Sequence, residues 1–111
     1  MEITKTGNIT VITPENKQVD VTNAREFGEE LSRLIEPSQK YILNMGKVAF
    51  LDSSGLGKII SCLRQASESN STLVLCNMNQ AVRVLFDMVR LNQIAKIFET
   101  DSQAEAFLRN M

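Results

Sequence analysis

The segment VAFLDSSGLGKII, residues 48–60, changes character at its centre. An apolar run with strand character comes first, and the chain leaves it through an Asp-Ser-Ser-Gly corner. Beyond the corner, Leu56, Ile59, Ile60 and Leu63 have the i, i+3, i+4, i+7 spacing of one helical face. The segment therefore predicts a strand, a short polar corner and an amphipathic helix, which together are a unit of an α/β fold.

Strand-type and helix-type segments also alternate in the rest of the chain. Short runs on either side of Thr6-Gly7-Asn8 predict an N-terminal hairpin, and the apolar runs 40–45 and 72–76 predict further strands. Segment 95–100 indicates a weak short strand. In order, the segments are β-β-α-β-α-β-α-(β)-α, which predicts one α/β domain over residues 1–111 with a mostly parallel sheet.

The ends of the remaining helices carry capping residues. Thr22 or Asn23 is expected to cap the first helix, and the last is expected to begin at Asp101 or Ser102. Helical spacing also assigns three methionines to core-type positions, namely Met78, Met88 and Met111, although a methionine-rich surface is also suited to binding.

Composition argues against several classes of function. The 111 residues have a formal net charge of −1, whereas a nucleic-acid partner normally requires a basic surface. No apolar stretch reaches the length of a membrane span, and the first residues lack the layout of a signal peptide. We therefore expect a cytoplasmic protein that has no nucleic-acid partner and does not insert into membranes.

The chain has two cysteines and no histidine. Cys62 and Cys76 both lie in apolar surroundings, which predicts buried, reduced thiols. A metal site without histidine would have to recruit carboxylates, and no complete phosphate-binding motif of a nucleotide site is present. We therefore expect neither a metal nor a cofactor.

The polar corner after the apolar run allows three interpretations. In the first, Asp52 or Ser53 caps the helix, while Gly55 and Gly57 let other backbone or a partner approach closely. In the second, Ser53 or Ser54 is a nucleophile, although without histidine its base would have to be Asp52 or a lysine. In the third, a serine at this corner accepts a phosphate, which the free N–H groups of a helix N-terminus tolerate.

A phosphate at this corner would act on a partner rather than on the fold. It brings about −1.5 to −2 charges to an exposed helix end. A penalty of about 3 kcal/mol would lower the affinity of a partner docked there on the order of a hundredfold. Asp20 lies on the polar loop before the first helix, and turn chemistry is the simplest interpretation of it.

Segment 50–66, FLDSSGLGKIISCLRQA, resembles the signature of STAS-domain proteins, specifically of bacterial anti-sigma factor antagonists. Segment 19–35 is similar to the aspartate-containing loop and first helix of that family, and segment 72–98 to its later strand, helix and short strand. The family often has glycine shortly before the loop aspartate and after the Phe-Asp-Met segment. This chain instead reads NKQVD and Val89-Arg90-Leu91 there.

The resemblance implies a STAS-type domain, with a four- or five-stranded mixed, mostly parallel sheet packed with about four helices. It also implies a non-enzymatic partner switch that regulates transcription. The unmodified protein would bind an anti-sigma factor that is also an ATP-binding serine kinase of the GHKL type, and thereby release a sigma factor. Phosphorylation would switch this binding off, and a serine phosphatase would restore it.

The resemblance also implies roles for particular residues. Ser53 matches the phosphorylated serine of the family, with Ser54 as the alternative acceptor, and Asp20 matches the loop aspartate near the docking surface. The corner that would bind the partner consists of Asp52, Ser53, Ser54, Gly55 and Gly57. An alternative function is that of a STAS accessory subunit in a non-transcriptional complex, for instance in membrane transport. A small nucleotide-binding hydrolase is a third.

Overall fold

The computed structural model describes all of residues 1–111, and it contains seven strands and four α-helices. In chain order they are β1 (Glu2–Thr6), β2 (Ile9–Thr13), β3 (Gln18–Val19), α1 (Ala24–Leu34), β4 (Lys40–Asn44), β5 (Phe50–Leu51), α2 (Ser53–Glu68), β6 (Thr72–Cys76), α3 (Gln80–Met88), β7 (Ile97–Phe98) and α4 (Asp101–Arg109). One turn of 3-10 helix, Leu91–Gln93, follows α3.

The main sheet has five strands in the order β1-β2-β4-β6-β7. Only β1 and β2 pair antiparallel, as the N-terminal hairpin, and Gly7 in their connection has the positive φ of 63° that the tight turn requires. All other pairs in this sheet are parallel. The predicted single α/β domain with a mixed, mostly parallel sheet and four helices is therefore confirmed.

A second, two-stranded sheet lies outside the main sheet. β3 and β5 pair in parallel, with Gln18 opposite Phe50 and Val19 opposite Leu51. The polar corner follows β5, so it extends from this small sheet and not from a strand of the main one. The sequence pattern did not predict the small sheet, because strands of two residues are too short to show an alternation.

The helices cover both faces of the main sheet. Leu43 and Leu75 face the larger core, where they join side chains of α1, α2 and α3. Ile42 and Val74, the preceding residues in the same strands, face the smaller core beneath α4. β4 and β6 are thus buried on both faces, as their continuous apolar sequences predict.

One prediction about the helix ends is corrected and one is confirmed. Asn23 is the N-cap residue of α1, but its side chain accepts a hydrogen bond from the Asp20 N–H and not from the helix. α4 begins at Asp101, as predicted, and its cap is Thr100, whose hydroxyl accepts a hydrogen bond from the Gln103 N–H.

The prediction that the methionines of α3 and the C-terminus are packed inside is wrong. Met88 is 75% exposed and Met111 is 63% exposed, while the buried face of α3 consists of Val82 and Phe86. Apolar residues occur on more than one face of α3, so spacing alone did not identify the buried one.

Candidate functional site

Asp52 holds the corner between β5 and α2 in place. Its Oδ1 accepts a hydrogen bond from the Gly55 N–H at 3.1 Å, which caps α2. Its Oδ2 accepts from the Val21 N–H at 3.0 Å, and this bond ties the corner to the loop before α1. One carboxylate therefore positions both the start of α2 and the loop that carries Asp20.

Ser53 is the first residue of α2, and it is exposed, whereas Ser54 is half-buried. The Gly55 N–H is bonded to the Asp52 carboxylate, and the Leu56 N–H to the Asp52 carbonyl at 2.9 Å. The first two N–H groups of the helix remain at the exposed end, where the partial positive charge of the helix is also concentrated. The structure thus presents a serine hydroxyl beside two backbone donors.

The two glycines of the corner have different surroundings. A Cβ on Gly55 would lie 2.5 Å from Leu51 Cδ1 and 2.8 Å from the Val19 carbonyl oxygen, so α2 can approach β3 and β5 only with glycine there. A Cβ on Gly57 would meet no atom within 4 Å, and Gly57 is exposed. Close approach inside the molecule, as predicted, explains Gly55 but not Gly57.

Asp20 folds its own loop into a turn. Its Oδ1 accepts hydrogen bonds from both the N–H and the hydroxyl of Thr22, and its Oδ2 accepts from Gln18 Nε2 at 3.2 Å. The hydroxyl and then the N–H of Thr22 stabilise the charged carboxylate, and they lower the pKa of Asp20 below its usual value of 3.8. Turn chemistry therefore accounts for the local conformation of Asp20.

The loop and the corner together form an acidic surface. Neither Asp20 nor Asp52 takes part in any of the five ion pairs of the chain. Because both oxygens of Asp52 already accept backbone hydrogen bonds, this carboxylate is poorly suited to remove a proton from Ser53. The geometry favours a surface that binds a partner over a nucleophilic site.

An apolar groove of about 260 Å³ adjoins the corner, between β5 and α3. All eight of its lining residues are apolar, and Phe50, Val84 and Met88 expose 53%, 47% and 75% of their surface. Leu51 also lines the groove, and only Asp52 separates it from Ser53 in the chain. This groove was not predicted from the sequence; the excess of apolar residues on α3 is the signal that could have revealed it.

The two cysteines are free and buried, as predicted. Burial raises the pKa of the Cys62 thiol to about 11 and that of the Cys76 thiol to about 12, so both stay protonated and unreactive. No three histidine, cysteine, aspartate or glutamate side chains lie close enough together to hold a metal ion. None of the helices combines the length and the apolar character that crossing a bilayer requires.

Comparison with known proteins identifies the family. The model of the STAS domain family matches residues 1–104 of this chain. The chain belongs to the STAS domain family. A protein of Thermotoga maritima that is named as a candidate anti-sigma factor antagonist is 30% identical over 96 residues, which are 85% of each chain. The anti-sigma-B factor antagonist of Bacillus subtilis is 28% identical over 80 residues, 72% of this chain and 73% of the other.

A solved structure of the family agrees with this STAS fold. The anti-sigma factor antagonist SpoIIAA, in its unphosphorylated form, superposes with a TM-score of 0.74 over 99% of this chain and 96% of its own. The two sequences are 20% identical, so this likeness concerns the fold. The resemblance to STAS proteins that segment 50–66 indicated is thereby confirmed.

Proposed function

We propose that this STAS domain is an anti-sigma factor antagonist, and that phosphorylation of Ser53 switches its partner binding off. The unmodified chain binds an anti-sigma factor that is also a GHKL-type serine kinase, and a sigma factor is released. The kinase transfers the terminal phosphate of its own bound ATP to the Ser53 hydroxyl and keeps the ADP, and a serine phosphatase later removes the phosphate. The chain itself is a non-enzymatic binding protein of the cytoplasm. The observation that carries the proposal is an exposed serine at the start of a helix that another residue caps.

The fold tolerates a phosphate at this position for a specific reason. Asp52, and not Ser53, supplies the side-chain oxygen that caps α2, so a modified Ser53 leaves the cap intact. The two free N–H groups of the first turn and the helix dipole favour a negative group at this end. The unmodified and the phosphorylated chain are therefore expected to share one fold.

The partner, in contrast, experiences the phosphate directly. The modification adds about −1.5 to −2 charges to a surface that already carries the carboxylates of Asp20 and Asp52. A partner that covers Ser53 must remove water from the phosphate, and a group of this charge is costly to bury without a matching cation. A loss of about 3 kcal/mol lowers affinity on the order of a hundredfold, which is enough for a switch.

Phosphate transfer in an extract of the native cells tests the assignment. Labelled ATP is added with the purified wild-type chain, Ser53→Ala or Ser54→Ala, and the initial rate of label incorporation into the chain is measured. We expect the wild type and the Ser54→Ala control to be labelled at similar rates, and Ser53→Ala to remain unlabelled. Labelling of Ser53→Ala at the wild-type rate would refute the site. No labelling of the wild type, together with co-purification of transporter subunits, would favour the non-transcriptional alternative.

A further inference from the structure

The groove between β5 and α3 is formed before any partner binds, because one side chain fixes its two walls to each other. Asn79 caps α3 by accepting a hydrogen bond from the Val82 N–H at 2.8 Å. Its Nδ2 donates to the Ala49 carbonyl at 3.0 Å, directly before β5. The spacing of the walls is therefore set within the folded domain, and the exposed apolar surface is not a flexible loop.

The position of the groove limits what can cover it. A kinase that transfers phosphate to Ser53 has to cover the surface around this residue, and the wall of the groove ends two residues earlier, at Leu51. The acidic surface of Asp20 and Asp52 lies at the same corner and has no cation of this chain paired with it. An occupant that matches both surfaces offers apolar side chains to the groove and a positive charge to the carboxylates.

We propose that the β5–α3 groove binds apolar side chains of the serine kinase partner, while a basic group of that partner faces Asp20 and Asp52. This inference rests on the proposed function, and it names the chemistry of the contact. An apolar contact beside Ser53 also explains the effect of phosphate. The partner can seat its apolar side chains only if water is excluded from the neighbouring corner, and a phosphate dianion resists this dehydration.

The test compares two pairs of exposed apolar residues at different places. Val84→Ser/Met88→Ser removes the outer apolar surface of α3 that lines the groove. Ile94→Ser/Met111→Ser is the matched control, since these residues are 65% and 63% exposed but line another cleft, beside the start of β6. All four side chains are substantially exposed, so the variants should keep the fold, which thermal unfolding checks. Met88→Ser alone serves as a second, milder groove variant.

The readout is the initial rate of Ser53 phosphorylation in the native extract at a low concentration of the chain, where weaker docking lowers the rate. We expect the initial rate to fall at least tenfold in the groove double variant and a few-fold in Met88→Ser. The rate of the control pair should stay within twofold of that of the wild type. Wild-type rates for both groove variants would overturn the groove proposal and leave the Ser53 switch standing. A wild-type chain that is not labelled at all would instead overturn the proposed function.

Discussion

At the scale of single residues, the two glycines of the corner have different roles. Gly55 is required inside the molecule, because the Val19 carbonyl oxygen would lie 2.8 Å from any Cβ there. Gly57 has open space around it and lies in the interior of α2, where glycine is a poor helix former. No contact within the chain therefore offsets the poor helix propensity of Gly57. A partner that approaches this residue closely would account for the glycine.

Substitution of each glycine by alanine separates these roles. Gly57→Ala should raise the free energy of unfolding by about 1 kcal/mol, the difference in helix propensity, and should slow phosphorylation of Ser53 because the added methyl group obstructs the partner. Gly55→Ala should instead lower stability by roughly 1–3 kcal/mol, because the methyl group is overpacked against β3 and β5. Urea denaturation and the labelling rate are the measurements. A Gly57→Ala variant that is both more stable and fully active would contradict the partner role.

The Asp20 carboxylate gives a prediction about pH. Its pKa lies below 3.8 chiefly because the Thr22 hydroxyl stabilises the charged form. Thr22→Val keeps the shape and removes this donor, so the Asp20 pKa should rise, while Gln18→Ala should change it less. The pKa is measured from the carboxyl carbon by NMR. A group with a lowered folded-state pKa stabilises the fold above its unfolded pKa, and this stabilisation is lost as pH falls through the folded pKa. An unchanged pKa in Thr22→Val would contradict the stated cause.

At the scale of elements, α3 and the turn after it depart from simple patterns. Two apolar faces leave Val84 and Met88 outside the core, and the chain then turns through Arg90 with a positive φ of 57°. This left-handed conformation costs most non-glycine residues about 1–2 kcal/mol. Glycine adopts this conformation without that cost.

Arg90→Gly should therefore stabilise the protein. Glycine removes the steric cost of the left-handed conformation. It also raises the conformational entropy of the unfolded chain, which opposes folding by up to about 1 kcal/mol. The free energy of unfolding should therefore rise by a net amount of about 0.5–1 kcal/mol. Asn70→Gly is the control, since asparagine at its φ of 62° already tolerates this conformation and little gain is expected. Thermal unfolding of both variants is the measurement, and equal shifts for the two would refute the account.

At the scale of the whole molecule, the sheet separates two cores, each with one buried thiol. Cys62 belongs to the larger core beneath α1, α2 and α3, and Cys76 to the smaller core beneath α4. Burial raises the pKa of the Cys62 thiol to about 11 and that of the Cys76 thiol to about 12 in the folded state. In the unfolded chain both thiols ionise near pH 9. The free energy of unfolding therefore depends on the protonation of a thiol in each of the two cores.

This linkage predicts a loss of stability at alkaline pH. A raised folded-state pKa stabilises the fold below the unfolded pKa, and the stabilisation is lost as pH rises from about 9 towards the folded value. The free energy of unfolding should fall by up to about 1.4 kcal/mol per pH unit for each thiol. Cys76→Ala should have lower stability at pH 7 because of the cavity, but a smaller loss between pH 9 and 10.5. An equal slope in the wild type and the variant would contradict the linkage.

Much of the fold could be predicted because local patterns agree with it. The helical spacing after the corner, the hairpin at Gly7 and the continuous apolar runs of β4 and β6 each specify an element without information from elsewhere in the chain. The small sheet of β3 and β5 could not be predicted, because its pairing joins residues about thirty positions apart. The buried face of α3 was missed for a related reason: which apolar stripe is covered depends on what packs against it.

The sequence by itself determined the alternation of strands and helices, the polar Asp-Ser-Ser-Gly corner at the start of a helix, and the resemblance to the family, since short-range spacing and residue chemistry are local properties. Only the tertiary structure decided that one Asp52 carboxylate joins the corner to the Asp20 loop, that Gly55 is packed while Gly57 is open, and that an apolar groove adjoins the corner at Leu51. These features depend on contacts between segments far apart in the chain. Such contacts exist only once the sheet and its helices have packed together.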